Sequence, residues 1–151
     1  MSSWLDVALL AVLIVLNGVF AMSEISLVTS RRARLQRLID DKVAGAERAR
    51  ELNADPNRAL STIQVGITSI GILSGIVGES ALARPMEAFL VMVGLSPETA
   101  KAIGLFVVVV LITYFSIVMG ELVPKRIGQI SPERIACRLA PPIHCLSLIH
   151  I

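Results

Sequence analysis

Three long stretches of the chain contain no charged residue, and they give the first indication of its architecture. They cover residues 7–23, 59–78 and 102–120. Each has about the length that an α-helix needs to cross roughly 30 Å of hydrocarbon. A fourth apolar stretch begins after Arg138 and continues to Ile151, and we expect a further span or an interfacial helix to begin there. The pattern predicts an all-α membrane protein with three transmembrane helices.

The composition supports this prediction. Hydrophobic residues make up 54% of the chain and charged residues 17%, and the mean hydropathy is +0.74. These values are too apolar for an ordinary soluble domain of this size. We therefore expect a multi-pass protein of the inner (plasma) membrane, with the lipid bilayer as its surroundings.

The distribution of basic residues predicts how the spans are oriented. Eight Lys or Arg lie between residues 29 and 58 and four follow Gly120, whereas the first six residues contain none and residues 79–101 contain two. Because three spans alternate sides, both basic segments fall on one face, which the positive-inside rule makes cytoplasmic. We expect the N-terminus outside and the C-terminus in the cytoplasm.

The basic segment after the first span predicts a juxtamembrane amphipathic helix. Within residues 27–53, Leu35, Leu38 and Ile39 recur at helical spacing between charged residues, which suits a helix on the inner membrane surface. The residues at 55–57 break this helix and start the second span. Nucleic acid is not an expected partner, because the basic segment at 29–58 contains five acids and lacks interleaved aromatic residues.

Cysteine and histidine give no indication of catalysis. Cys137 and Cys145 lie near the expected cytoplasmic end without metal-type spacing to histidine, so we expect free thiols. His144 and His150 have no acid or nucleophile at catalytic spacing. An enzyme is therefore the least favoured class of function.

The second span is rich in small and polar residues. Gly71 with Gly75, and Ser74 with Gly78, form two small-xxx-small pairs that let a neighbouring backbone approach closely. That neighbour is either a partner subunit or the first helix of the same chain. Such a span must be enclosed by protein or line a wet cavity.

Residues 79–101 are expected to form the outer loop. They contain Pro85 and Pro97, with an amphipathic piece at 86–93 between the prolines. Ser96 has the chemistry of a helix N-cap and Pro97 suits the first helical position. The third helix is therefore predicted to begin near Pro97.

The third span ends in an unusual combination of residues. Gly120 and Glu121 are followed by Pro124 and Lys125. A carboxylate at the edge of the hydrocarbon is costly, and a proline removes a backbone donor, so both require compensation.

The end of the first helix also presents polar groups. Asn17 and Glu24 lie seven residues apart on one helical face, and Ser23 and Ser26 lie on an adjacent one. These hydroxyl and carboxylate oxygens either mark a polar helix terminus at the interface or line a binding site.

Several of these segments resemble the transmembrane domain of the CorC and CNNM (cyclin M) family, whose bacterial members are often labelled hemolysin-like. The segments are NGVFAMSEISLVTSRRARL at 17–35, TIQVGITSIGILSG at 62–75, GELVPK at 120–125 and SPERIACRLAPP at 131–142. They occur in order and at appropriate separations over nearly the whole chain, so residues 1–151 are interpreted as one CNNM-type transmembrane domain.

The resemblance implies a homodimer and a role in the export of Mg²⁺ or Co²⁺, coupled to Na⁺. It also implies a cytoplasmic pair of CBS modules downstream, which this sequence lacks. Nucleotide would bind only to those modules. Family members bind Mg²⁺ inside the membrane with oxygen ligands. Carried over to the matching positions of this sequence, the resemblance implies a set of metal ligands that comprises Ser23, Ser26, Gly66, Thr68, Gly120 and Glu121. Pro124 would free the Gly120 carbonyl to face the ion.

A second hypothesis assigns the chain to another class, a membrane scaffold. It would present cytoplasmic nucleotide-sensing CBS modules and regulate other transporters without conducting ions. Glu121 would then pair with Lys125 at i+4 instead of binding a cation. Cation binding that depends on Glu121 distinguishes the two hypotheses.

Overall fold

A computed structural model describes residues 3–150 of the chain, and the side chains of residues 4–147. The fold consists of helices joined by short connections, and one segment, π1, is a π-helix. The elements are α1 (Ser3–Thr29), α2 (Arg32–Asp40), α3 (Ala46–Ala54), α4 (Pro56–Met92), α5 (Pro97–Ile117), π1 (Val118–Leu122), α6 (Val123–Ile130) and α7 (Pro132–His150).

Three helical stretches are long and apolar enough to cross a membrane, which confirms the predicted number of spans. They are Trp4–Thr29, Pro56–Met92 and Pro97–Ile130, and the third runs without interruption through α5, π1 and α6. Their outer surfaces carry large exposed hydrophobic side chains such as Ile72 and Phe106. An exposed apolar surface of this extent suits contact with lipid tails.

The predicted outer loop at 79–101 is wrong over most of its length, because α4 continues to Met92 with Pro85 inside the helix. Only residues 93–96 connect α4 to α5. A proline in a helix removes one backbone hydrogen bond. Packing compensates here, since Ala81 is buried and Met86 packs against a cluster formed with α1 and α5. At 37 residues, α4 is about 55 Å long.

The start of the third span agrees with the prediction. The helix begins at Pro97, and the Ser96 hydroxyl accepts a hydrogen bond from the Thr99 backbone N–H at 3.4 Å. This bond satisfies one of the amide groups that the first helical turn leaves without an intrahelical partner.

The two small-residue pairs of α4 have different surroundings. Ser74 and Gly78 are buried, and a Cβ atom at Gly78 would collide with the side chain of Ile112 on α5. A Cβ atom at Gly71 or Gly75 would have no atom within 4 Å. Gly78 therefore lets α4 pack against α5 of the same chain, a neighbour that was not among the two alternatives, whereas Gly71 and Gly75 face outward.

The helices α2, α3 and α7 form a platform at one end of the bundle together with the adjoining ends of α1 and α4. The predicted long amphipathic helix is two helices, because Lys42 and Gly45 adopt positive φ angles of 55° and 81° between them. Leu35 is fully buried, so the apolar face of α2 packs on protein rather than on lipid. The buried core of the platform comprises Leu27, Leu35, Ala46, Ala49, Leu52, Ala59, Ile63, Ala136, Cys137, Ala140 and Ile143.

Polar contacts also join the platform helices to one another and to α1. Glu133, in the first turn of α7, is buried and accepts a hydrogen bond from the Arg31 backbone N–H at 3.2 Å. The Asn53 amide donates to the Leu27 carbonyl at 2.9 Å. Both cysteines are free thiols, as predicted, and burial raises the pKa of the Cys137 thiol.

Candidate functional site

The first helix and the end of the third span approach each other closely through glycines. A Cβ atom at Gly18 would lie 2.8 Å from Cγ of Pro124, and one at Gly120 would lie 3.1 Å from Nδ2 of Asn17. The first distance is too short for any side chain without movement of the proline ring. Glycine at both positions therefore lets α1 contact π1 and α6 directly, which brings the polar groups of the two spans together.

Pro124 and the π-helical segment together change the backbone hydrogen bonds at Gly120. The Val123 N–H donates to the Val118 carbonyl, five residues earlier, and Pro124 has no N–H to donate to Gly120. The Gly120 carbonyl instead accepts a hydrogen bond from the Asn17 amide at 3.1 Å. The expectation that Pro124 releases this carbonyl agrees with the structure, and the Asn17 amide is the protein group that meets it.

The other end of the Asn17 amide is left without a partner. Its Oδ1 atom is buried and accepts no hydrogen bond from any side chain or backbone group that the structure describes. A buried polar atom without a partner costs about 1 to 3 kcal/mol. This oxygen is therefore available to a donor or a cation that reaches the Gly120 carbonyl.

Two carboxylates from different spans converge on a single ammonium group near these atoms. Lys125 Nζ lies 2.7 Å from Glu121 Oε1 and 3.2 Å from Glu24 Oε2. The Glu24 side chain is 22% exposed and that of Lys125 is 31% exposed. We refer to these three residues with Asn17 and Gly120 as the carboxylate cluster. The two carboxylates form a site that holds one positive charge at the end of the third span.

The serines of the predicted ligand set lie on α1 beside this cluster, and both are buried. The Ser23 hydroxyl donates to the Val19 carbonyl at 2.7 Å, and the Ser26 hydroxyl donates to the Ser23 carbonyl at 3.1 Å. Their protons are therefore used within the helix. A hydroxyl oxygen that donates keeps its lone pairs, so Ser23 and Ser26 retain acceptor capacity.

The second-span residues of the predicted set have different surroundings. Gly66 packs against the ring of Phe20, which a Cβ atom would approach to 2.7 Å. Ile67 packs against the platform core, and Thr68 is exposed. No hydrogen bond joins Thr68 to the serines or to Glu121 in the described part of the chain. The structure thus brings together Glu121, Gly120 and α1, and leaves Thr68 outside the carboxylate cluster.

The predicted ligand set did not include Asn17, Glu24 or Lys125, although each gave a signal in the sequence. Asn17 and Glu24 share a helical face, and Lys125 follows Glu121 at i+4. Among the residues that the structure describes, no group of three or more His, Cys, Asp or Glu side chains could hold a metal ion. A metal ion bound to these two carboxylates would therefore need neutral oxygens as well, such as Asn17 Oδ1.

Comparison with known proteins identifies related membrane domains. The sequence model of the cyclin M transmembrane N-terminal domain family matches residues 8–150. The UPF0053 protein sll0260 of Synechocystis is 43% identical over 95% of this chain and 32% of its own length. The polyamine export protein of Escherichia coli is 33% identical over 89% of this chain and 30% of its own length. The chain spans about a third of the length of these relatives.

Proposed function

The chain belongs to the family of cyclin M transmembrane domains, and from this premise we propose that it binds a cation and exports it across the membrane. The observation that carries the proposal is the convergence of Glu24 and Glu121, from two different spans, on one positive charge. Ionisable groups at membrane depth are costly and mark ion or substrate pathways by default. The carboxylate cluster is the proposed cation site.

We propose Mg²⁺ as the first candidate cargo, with Co²⁺ as a related ion and Na⁺ as the coupling ion. Mg²⁺ binds about six oxygen ligands at roughly 2.0 to 2.1 Å. Glu24, Glu121 and Asn17 Oδ1 offer such oxygens, the Gly120 carbonyl keeps a second lone pair, and Ser23 adds a hydroxyl. Ordered water would complete the shell, since Mg²⁺ usually retains several waters.

An organic polyamine is the second candidate cargo, and one contact favours it. The two carboxylates already hold a primary ammonium, that of Lys125, at 2.7 and 3.2 Å. A primary amine of a polyamine has the same charge, size and hydrogen-bonding groups. The name of the Escherichia coli relative, polyamine export protein, is consistent with this candidate.

Flux measurements on the full-length protein in sealed vesicles test the proposal. We expect either Mg²⁺, followed with a trapped fluorescent indicator, or radiolabelled putrescine to cross faster than in vesicles without protein. Repeating the assay with and without a Na⁺ gradient tests the coupling. If neither cation crosses above the background rate, the export proposal is wrong and the scaffold hypothesis is favoured, with Glu121 and Lys125 as a structural pair.

We further propose that the active form is a homodimer and that the exposed face of α4 contacts the second copy. Gly71 and Gly75 have open space around them and lie beside Ile72 and Ile76, which are 62% and 61% exposed. Small residues flanked by large apolar ones allow close helix contact in membranes.

Cysteine cross-linking tests this contact. In a background in which the exposed Cys145 is replaced by serine, we expect Gly71→Cys to form a disulfide-linked dimer under mild oxidation. Phe106→Cys, on an exposed position of α5, is the matched control and should remain monomeric. Equal cross-linking at both positions, or none at position 71, would contradict the proposed contact.

A further inference from the structure

Lys125 occupies the position that a cation needs in order to contact both carboxylates of the cluster. Its ammonium lies within hydrogen-bonding distance of Glu121 Oε1 and Glu24 Oε2, at 2.7 and 3.2 Å. Both distances suit charge-assisted hydrogen bonds, which are stronger than neutral ones. Lys125 also connects two spans, because Glu24 belongs to α1 and the other two residues belong to π1 and α6.

We propose that the Lys125 ammonium is a built-in competitor that a transported cation must displace from Glu24 and Glu121. This inference rests on the proposed function, since it assigns the carboxylate cluster to cation binding. It adds a specificity-determining residue to the site. A cation binds only when it interacts with the two carboxylates more favourably than the tethered ammonium does.

A cation and the Lys125 ammonium exclude each other from the carboxylates for steric and electrostatic reasons. A Mg²⁺ ion would lie about 2.1 Å from each carboxylate oxygen that it contacts. The Lys125 nitrogen is placed between the same two oxygens, so the ion and the ammonium cannot both take that position. With Lys125 in place the three charged groups keep one excess negative charge, whereas a divalent ion in its place neutralises both carboxylates.

The lysine side chain has a path out of the cluster. It is 31% exposed, and its flexible four-carbon stem lets the ammonium turn toward the exposed side without movement of α6. The observed affinity for a cation then equals the intrinsic affinity multiplied by the fraction of time for which the ammonium is displaced. A weakened affinity helps an exporter, because a cation that binds too tightly is not released.

Binding measurements on the purified full-length protein test the competition. We expect Lys125→Met, which keeps the length of the side chain and removes its charge, to bind Mg²⁺ and putrescine at least about tenfold more tightly by calorimetry. That factor corresponds to a lysine that occupies the carboxylates for about nine-tenths of the time. Lys101→Met, an exposed position in α5, is the matched control and should leave the affinity unchanged.

A second readout separates displacement from a general electrostatic effect. In the wild-type protein, saturating Mg²⁺ or putrescine should release the Lys125 amine and increase its rate of acylation, measured by mass spectrometry. Lys42 lies in the connection between α2 and α3 and is exposed, so its acylation rate serves as the internal control. Loss of a nearby charge alone would tighten binding in Lys125→Met without changing the acylation of the wild-type lysine.

The outcomes distinguish failure of this inference from failure of the proposed function. Wild-type binding that depends on Glu121, with no rise in Lys125 acylation, would overturn the competition and leave the cation site standing. Weaker binding in Lys125→Met would overturn it as well, because Lys125 would then support the site. Absence of binding in both the wild type and Lys125→Met would remove the cation site itself.

Discussion

Replacement of Glu121 by glutamine is expected to weaken Mg²⁺ or putrescine binding by about 10- to 100-fold. The carboxylate is the nearest partner of the positive charge in the cluster, at 2.7 Å. Hydrogen bonds to charged groups contribute about 1.5 to 3 kcal/mol, and about 1.4 kcal/mol corresponds to a tenfold change in affinity. Glutamine keeps the shape of the side chain, so calorimetry reports the loss of charge, and vesicle flux should fall with it.

The Glu121→Gln substitution should change the stability of the protein much less than it changes cation binding. The Glu121 side chain is 44% exposed, and pairs at such sites contribute about 0 to 1 kcal/mol. Lys125 also keeps Glu24 as a partner at 3.2 Å. Glu79→Gln, at an exposed position of α4, is the matched control and should bind as the wild type does. Unchanged binding and flux in Glu121→Gln would exclude Glu121 from the cation site.

Replacement of Gly45 by alanine is expected to destabilise the platform by about 3 kcal/mol. The residue has a φ of +81°, which costs about 1 to 3 kcal/mol for a residue with a side chain. The added Cβ atom would also collide with the backbone carbonyl of Cys137, and overpacking costs about 1 to 3 kcal/mol. The backbone carbonyl of Cys137 cannot rotate away from the added Cβ atom as a side chain could. The helices α3 and α7 must therefore move apart.

The local readout is the reactivity of Cys137, which is 1% exposed in the folded protein. We expect Gly45→Ala to lower the midpoint of thermal unfolding and to increase the rate of maleimide labelling at Cys137, measured with Cys145 replaced by serine. Gly94→Ala is the matched control. Gly94 also has a positive φ, +104°, but its Cβ atom would have no neighbour within 4 Å. Equal effects of both substitutions would show that the contact with Cys137 is unimportant.

Local features of the sequence predicted local features of the fold. Charge-free length predicted the three spans, because a helix satisfies its backbone within itself and needs only enough apolar residues to cross the bilayer. The Ser96 cap and the Pro97 start were predicted because the first helical turn leaves amide groups without an intrahelical partner, which a capping hydroxyl accepts and a proline does not have. Pro85 led to the wrong prediction of an outer loop. The side chains that pack against Met86 and compensate for the lost hydrogen bond belong to other helices, so the local sequence does not reveal them.

The residues predicted as metal ligands do not all lie together in the structure. Glu121, Gly120 and the serines of α1 do lie where two spans meet, but Thr68 lies on an exposed face of α4. The rotation of a helix about its axis decides which of its polar residues face a neighbour. Packing against the neighbouring helices sets that rotation. When a span has polar residues on several faces, its sequence alone does not show which face points toward a neighbour.

The sequence by itself determined the helical class, the three spans and the release of the Gly120 carbonyl by Pro124, because each depends on residues within a few turns of one helix. Only the tertiary structure decided which groups meet that carbonyl and the Glu121 carboxylate. Asn17 lies 103 residues from Gly120 in the chain, and Glu24 reaches Lys125 from a different span. Such pairs form because Gly18 and Gly120 let two helices approach closely, a property of both surfaces together.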